Sequence, residues 1–351
     1  MLIHVRTTKG KGYKIAEDNM SKYHGVNPFC IDDGLDIDMS CAASFTGTFG
    51  HTIVEMARAD DRIIAVCAAM VDGTGLSRFQ KEYPQRLFDV GIAEQHAVVF
   101  SAGLARQGLR PVCVIYSTFL QRAYDAIIHD VCLQELPVLF AIDRGGLVGN
   151  DGPTHHGSFD LSYLRHIPNL IVMAPKDGNE LKDMLFTALQ SGRPAAVRYP
   201  RGACTIFDES RKAQVMGIGE CEVVKEGGKL VLVAIGAAFQ EAQNAAQQLE
   251  AEGIETALVN ARFVKPLDEK LISLIQRAGK AIVVEENTVK GGFGSAVLEL
   301  CQKMNIQARI ELLGIPDQFI THGSQVQLRK DCGLCWENIV CIGRNMVRNV
   351  Y

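Results

Sequence analysis

Long apolar runs are missing from this sequence. The most extended, LVLVAIGAAF from Leu230, is too short to cross a bilayer and is broken by Gly, so no helical membrane span is expected. A basic excess is missing too. Lys and Arg number 36 against 40 Asp and Glu, for a net charge of -4, and neither nucleic acid nor an anionic membrane is an expected partner. The 11 Cys follow no regular framework, and an odd number in a chain of 351 residues suits reduced thiols inside a cell. Cys332 and Cys335 form a single CxxC with no second Cys or His pair near it in sequence, so zinc is not expected. No charged-then-apolar leader is visible, and there is no short-period repeat or low-complexity tract. The cytoplasm is the expected location.

What is present is an ordinary globular composition, 47% hydrophobic and 22% charged, in a chain long enough for about two domains. Short apolar runs alternate with helical patterns, which predicts an α/β fold with mostly parallel sheets. In the first block the strand candidates start at Ile63, Arg86, Pro111, Pro137, Leu170 and Ala195. Phe119, Ala123, Ile127 and Val131 recur at i, i+4 and predict one helix face, with Ser117 or Thr118 as N-cap. Polar residues and glycines at 202–228 read as a linker, and a second block has strand candidates at Leu230, Thr256, Ala281 and Ala308, with helices over 239–252 and 294–303. The opening Leu2-Ile3-His4-Val5 reads as a buried parallel strand without a sheet of its own, the stub of a further domain.

Several polar residues fall at the ends of these strands, where open parallel sheets place their ligands. Glu94, in DVGIAEQHAVVF, stands where a strand gives way to an apolar helix; an acidic first-turn residue favoured by the helix dipole is the plain alternative. The loop DRGGLVGNDGPTHHG follows the strand ending at Asp143 and carries Arg144, Asp151, His155 and His156. A surface loop explains such turn-forming residues equally, while the two His suit proton transfer or hydrogen bonding better than metal binding. Arg201, in RYPRG, could join Arg144 in forking onto a phosphate. Tyr116, Phe119 and Arg122 open a helix after another strand. A glycine cluster, EENTVKGGFGSAV from Glu285, could cradle a phosphate at a helix start or only pack a helix closely on a strand.

Taken in order, DVGIAEQHAV, IYSTFLQRAYD, DRGGLVGNDGPTHHG and RYPRG closely resemble the 1-deoxy-D-xylulose-5-phosphate synthases, which are transketolase-like thiamine diphosphate enzymes. KGKGY and YHG resemble the end of that family's first domain, and GGFGSAV and HGS its third. The resemblance implies the tail of a diphosphate-binding domain at 1–35, a pyrimidine-binding domain at 36–201, a linker at 202–228 and a transketolase C-terminal domain at 229–351. It further implies that Glu94 hydrogen-bonds the aminopyrimidine ring, where sharing a proton lets the exocyclic amine act as a base, and that the cofactor serves as the electron sink. Phe119 would stack on that ring and Tyr13 would contact the cofactor. Arg144 and Arg201 would hold the phosphate of glyceraldehyde 3-phosphate. Tyr116, Arg122, Asp151, His155 and His24 would line the pocket and handle protons. Pyruvate would lose carbon dioxide and its two-carbon fragment would join the aldehyde, giving a product used in isoprenoid, thiamine and pyridoxal synthesis.

One large departure concerns the cofactor's diphosphate and Mg²⁺, which the family binds through a Gly-Asp-Gly…Asn segment that does not occur in this sequence. No metal ligands are therefore expected on this chain, and an upstream half is expected as partner, in a homodimer or heterotetramer. Cys67 also stands where Thr is usual, and Gly145 where Ala is usual. Two other readings share the pattern or contradict it: another thiamine diphosphate subunit, such as a 2-oxo acid dehydrogenase β chain or a transketolase half, and a non-catalytic remnant.

Overall fold

The computed structural model describes residues 1–20, 22–24, 26, 29–35 and 44–348. The chain divides into two compact units, Met1–Ala42 and Ala43–Tyr351. In the first, a short helix Lys14–Asp18 is followed by a turn at Lys22–His24. Tyr13, Tyr23 and Phe29 form an aromatic cluster with centroids 5.2 to 6.0 Å apart, and the Tyr13 and Tyr23 hydroxyls donate to the carbonyls of Ile31 and Gly34. Leu2 to Val5 do not form the expected strand. Leu2, Ile3 and Val5 are exposed, and among the described residues no strand pairs with them to supply the backbone hydrogen bonds that a strand requires.

The second unit is built on two sheets. In the first lie β1 (Ile63–Cys67), β2 (Leu87–Asp89), β3 (Arg110–Tyr116), β4 (Leu139–Asp143), β5 (Ile171–Met173) and β6 (Ala195–Arg198), all parallel, in the order β5-β6-β4-β3-β1-β2. Every residue of β1, β4, β5 and β6 is buried. Successive side chains go to opposite faces: Ile64 and Val66 enter a core with Val98, Ala102 and Ile127, whereas Ile63, Ala65 and Cys67 enter another with Phe49, Ile53 and Leu185. Burial pushes the Cys67 thiol up to about 12, so this departure from the family pattern is an inert core residue.

Six more strands follow: β7 (Glu222–Lys225), β8 (Leu230–Ala234), β9 (Thr256–Asn260), β10 (Phe263–Lys265), β11 (Lys280–Thr288) and β12 (Arg309–Ile315). Five make a second sheet in the order β12-β11-β8-β9-β7, parallel except for β7. β10 instead leaves that sheet and pairs antiparallel with β5, closing an edge of the first. One apolar core runs through both domains, joining Val231, Val259 and Phe293 to Ile142 and Val172.

Three further expectations need correction. The segment 202–228, expected as a linker, is packed against the first domain and contains a strand. Arg211 makes a two-pronged ion pair with Asp183, Gln214 and Met216 donate backbone N–H groups to Asp183 and Thr187, and the segment ends in β7. The helix expected from Phe119 to Val131 keeps its buried face at Ala123, Ile127 and Val131 but is broken into short α, 3₁₀ and π turns. Its N-cap is Tyr116, without a side-chain bond, while Thr118 donates to the carbonyl of Thr154.

Candidate active site

Because β1 to β6 point the same way, their carboxyl ends share one edge, and the residues that follow β2, β3, β4 and β6 gather there. Glu94 is the first residue of the helix Glu94–Arg106 and is only 3% exposed. A first-turn carboxylate placed solely for the helix dipole has no reason to leave water. Its Oε1 accepts from Arg122 Nη1 at 2.9 Å, and Oε2 takes no hydrogen bond from the described residues. The Arg122 guanidinium lies 5.4 Å from the centre of the Phe119 ring. Phe119 in turn stacks against Tyr116 (6.0 Å, 15°) and receives His155 edge-on (5.5 Å, 76°). The Arg144 guanidinium sits 3.9 Å above the Tyr116 ring. Glu94, Arg122, Phe119, Tyr116 and Arg144 thus form one unbroken row.

The Arg144 end of the row is held by Asp143, the last residue of β4. Asp143 is fully buried; its Oδ1 accepts from the Arg144 N–H at 2.6 Å and its Oδ2 from the Thr46 hydroxyl at 2.8 Å. Burial, opposed by the Arg144 charge, pushes its carboxyl up to about 6. Arg144 has a left-handed backbone (φ 60°), rare for a side chain of this size, and its Nη1 donates to the Gly73 carbonyl at 3.0 Å. Beyond it, Arg201 donates to Asp151 at 2.7 Å, with both side chains about 40% exposed. The Tyr116 hydroxyl is buried with no hydrogen-bond partner among the described residues, as is the adjacent Ser117 hydroxyl. The unpaired Tyr116 hydroxyl, at the carboxyl end of β3, marks a place where a polar ligand would repay the desolvation.

The structure therefore brings together Glu94, Phe119, Arg122, Tyr116, His155 and Arg144, with the Arg201–Asp151 pair on the same edge. Tyr13 and His24 belong to the other unit, and the side chain of His24 lies outside the described residues. His156 is not a reactive partner of His155: its Nδ1 accepts from the Val148 N–H and its Nε2 donates to the Thr321 carbonyl, which fixes the loop. The glycine cluster is no phosphate cradle either. The Glu285 carboxylate already accepts from the Phe293 and Gly294 N–H groups at 2.8 Å, so the start of that helix is capped from within the fold. Among the described residues, no three His, Cys, Asp or Glu side chains gather to hold a metal, and no helix is long and apolar enough to cross a membrane. Asp143 went unassigned in the sequence, although it carries the same signal as Glu94, a carboxylate closing an apolar strand.

Two family models match the chain: "Transketolase, pyrimidine binding domain" over residues 42–205, and "Transketolase, C-terminal domain" over 219–339. The 1-deoxy-D-xylulose-5-phosphate synthase 1 of Geobacter sulfurreducens is 54% identical over 337 residues, covering 95% of this chain and 53% of that protein. The 1-deoxy-D-xylulose-5-phosphate synthase of Aquifex aeolicus is 54% identical over 341 residues, covering 97% of this chain and 54% of that protein. The chain spans about half the length of the curated relatives it matches. A solved structure described as "Split gene transketolase, inactive beta4 tetramer" superposes with a TM-score of 0.78 at 28% identity, covering 88% of this chain and 99% of that one.

Proposed function

This chain belongs to the transketolase family, and from that premise we propose that it forms the pyrimidine-binding and C-terminal parts of a 1-deoxy-D-xylulose-5-phosphate synthase. With thiamine diphosphate and Mg²⁺, such an enzyme condenses pyruvate with D-glyceraldehyde 3-phosphate and releases carbon dioxide. The observation that carries the reading is the row from Glu94 to Arg144, which pairs a buried carboxylate and an aromatic wall with a guanidinium at its far end.

The residues fit the pyrimidine half of the cofactor. Glu94 Oε2 is open to a ring nitrogen, Arg122 holds the carboxylate in place through Oε1, and Phe119 supplies an aromatic wall beside them. When bound, the cofactor supplies the electron sink for the carbanion. Glu94 keeps a proton at the ring nitrogen, and His155, against Phe119, is placed to give or take one at the substrate. Arg144 and Arg201 take the acceptor's phosphate, Arg201 by exchanging Asp151 for it. Tyr116 directs its unpaired hydroxyl to the substrate or cofactor.

Diphosphate and Mg²⁺ ligands would come from an upstream half, with Tyr13 and His24 near the junction in sequence. The split transketolase supports this second element, since a chain of matching extent exists there as an inactive tetramer. The test combines the purified chain with a diphosphate-binding half from a relative and follows pyruvate-dependent consumption of glyceraldehyde 3-phosphate. Product from the pair and none from either part is expected. Turnover of pyruvate only with a lipoyl acceptor would identify a 2-oxo acid dehydrogenase β chain instead.

A further inference from the structure

The two arginine-bearing loops, 144–157 and 199–202, do not touch the C-terminal domain at random. The segment 321–325 of that domain, which leads into the helix Gln325–Asp331, lies on both. Gln325 Nε2 donates to the Leu147 carbonyl at 2.7 Å and to the Arg201 carbonyl at 3.0 Å, so one amide group ties the loop after β4 to the loop after β6. The Thr321 carbonyl accepts from His156 at 3.1 Å.

The loops are shaped for this approach. A Cβ at Gly149 would come within 3.2 Å of the Gly323 carbonyl oxygen and 3.4 Å of Gln325 Cγ, and one at Gly202 within 3.2 Å of Gln325 Oε1. Both glycines also have positive φ, 94° and 119°. Beside them, Glu286 of β11 accepts from the Leu147 N–H at 2.9 Å and is itself held by Arg329 at 2.8 Å. Leu147 is thus gripped at both its N–H and its carbonyl from the C-terminal domain.

We propose that Gln325 is a positioning residue which fixes the spacing of the loops carrying Arg144 and Arg201, and so sets selectivity for a phosphorylated acceptor. The proposal rests on the function proposed above. The loops also meet directly, where the Gly145 N–H donates to the Tyr199 carbonyl at 2.9 Å and Arg201 to Asp151 at 2.7 Å; the Gln325 amide adds the tie between Leu147 and Arg201 from outside, and a phosphate needs both guanidinium groups within reach at once. The residue touches no reacting atom; its effect passes through the loops.

The test uses the complete two-part enzyme. Gln325→Met keeps the length and packing of the side chain but cannot donate, and Gln325→Ala removes both. Each is compared with wild type for D-glyceraldehyde 3-phosphate, for unphosphorylated D-glyceraldehyde and for pyruvate. Loss of two neutral hydrogen bonds should raise the KM for the phosphorylated acceptor roughly 5- to 150-fold in both variants, with the other two KM values within about two-fold of wild type. Amide hydrogen exchange over 144–157 should also quicken in Gln325→Met while β3 and β4 stay protected. A Gln325→Met enzyme that keeps the wild-type preference for the phosphorylated acceptor overturns the role of Gln325. A wild-type enzyme without that preference overturns the proposed function, and this inference falls with it.

Discussion

Replacing Arg144 by Ala should weaken glyceraldehyde 3-phosphate more than replacing Arg201, although both carry the same charge. A charged hydrogen bond to phosphate contributes roughly 1.5–3 kcal/mol, or about 10- to 150-fold in affinity. Arg144 is poised to give the whole of this. Its side chain is only 16% exposed, its guanidinium sits 3.9 Å from the centre of the Tyr116 ring, and the Gly73 carbonyl and Asp143 hold it in place, so little order is lost on binding. Arg201 must first release Asp151, an exposed pair worth about 0–1 kcal/mol, so its net contribution falls to roughly 0.5–3 kcal/mol. The assay is steady-state kinetics of the two-part enzyme, with KM measured for both substrates. The KM for glyceraldehyde 3-phosphate should rise in both variants, further for Arg144→Ala, while the KM for pyruvate stays within about two-fold. Ala at 144 also leaves Asp143 buried without its cation, so this variant should melt lower and Arg201→Ala should not. Equal weakening of both substrates, or a larger effect at Arg201, would refute the assignment of the clamp.

Glu94→Gln keeps the size of the side chain and a bond to Arg122 but cannot exchange a proton; deuterium exchange at the reacting carbon of the cofactor should slow by roughly 10²–10⁴-fold, and a wild-type rate would return Glu94 to the status of a helix-end residue. Asp151→Asn removes the competitor for Arg201 and should lower the KM for the phosphorylated acceptor by about two- to five-fold; an increase would show that Asp151 itself binds substrate. Burial holds Asp143 at about 6 and Glu285 at about 7, both above a free carboxyl, so the folded chain binds these protons more tightly than the unfolded one and their stabilisation is lost as pH rises through 6 and 7. The melting temperature should therefore climb as pH falls from 8 to 5, and Glu285→Gln should flatten the upper part of that rise; an unchanged slope in the variant would count against the burial argument. Calorimetry of the chain alone with Mg²⁺ and thiamine diphosphate should show weak binding, and tight metal-dependent binding would require a diphosphate site within these residues.

How much of this was legible in the sequence depended on the range of the interaction. The strands of the first sheet could be read because burial on both faces forces a continuous apolar run, as in β4 and β6. Glu94 and Arg144 could be read because each interrupts such a pattern at its end, a signal contained in a few neighbouring residues. β10 could not. Its three residues carry no period, and what makes them a strand is the exposed edge of β5, some ninety residues earlier in the chain, which β10 closes. The packing of 202–228 was hidden for the same reason, since Arg211 and the Gln214 and Met216 N–H groups bind Asp183 and Thr187 on a helix 28 to 31 residues earlier.

Gln325 is the extreme case. Its partners are backbone carbonyls 178 and 124 residues away, and a carbonyl is common to every residue, so no side-chain identity at the other end betrays the contact. The trace it leaves lies in what must be absent: at Gly149 and Gly202 a Cβ would crowd the turn from the C-terminal domain. Those glycines were read as loop formers, which they are, but their spacing reports a surface pressed against them. The C-terminal domain, which places no residue in the row from Glu94 to Arg144, thereby shapes the edge where the acceptor would bind, through Gln325 on the loop carbonyls and Glu286 on the Leu147 N–H.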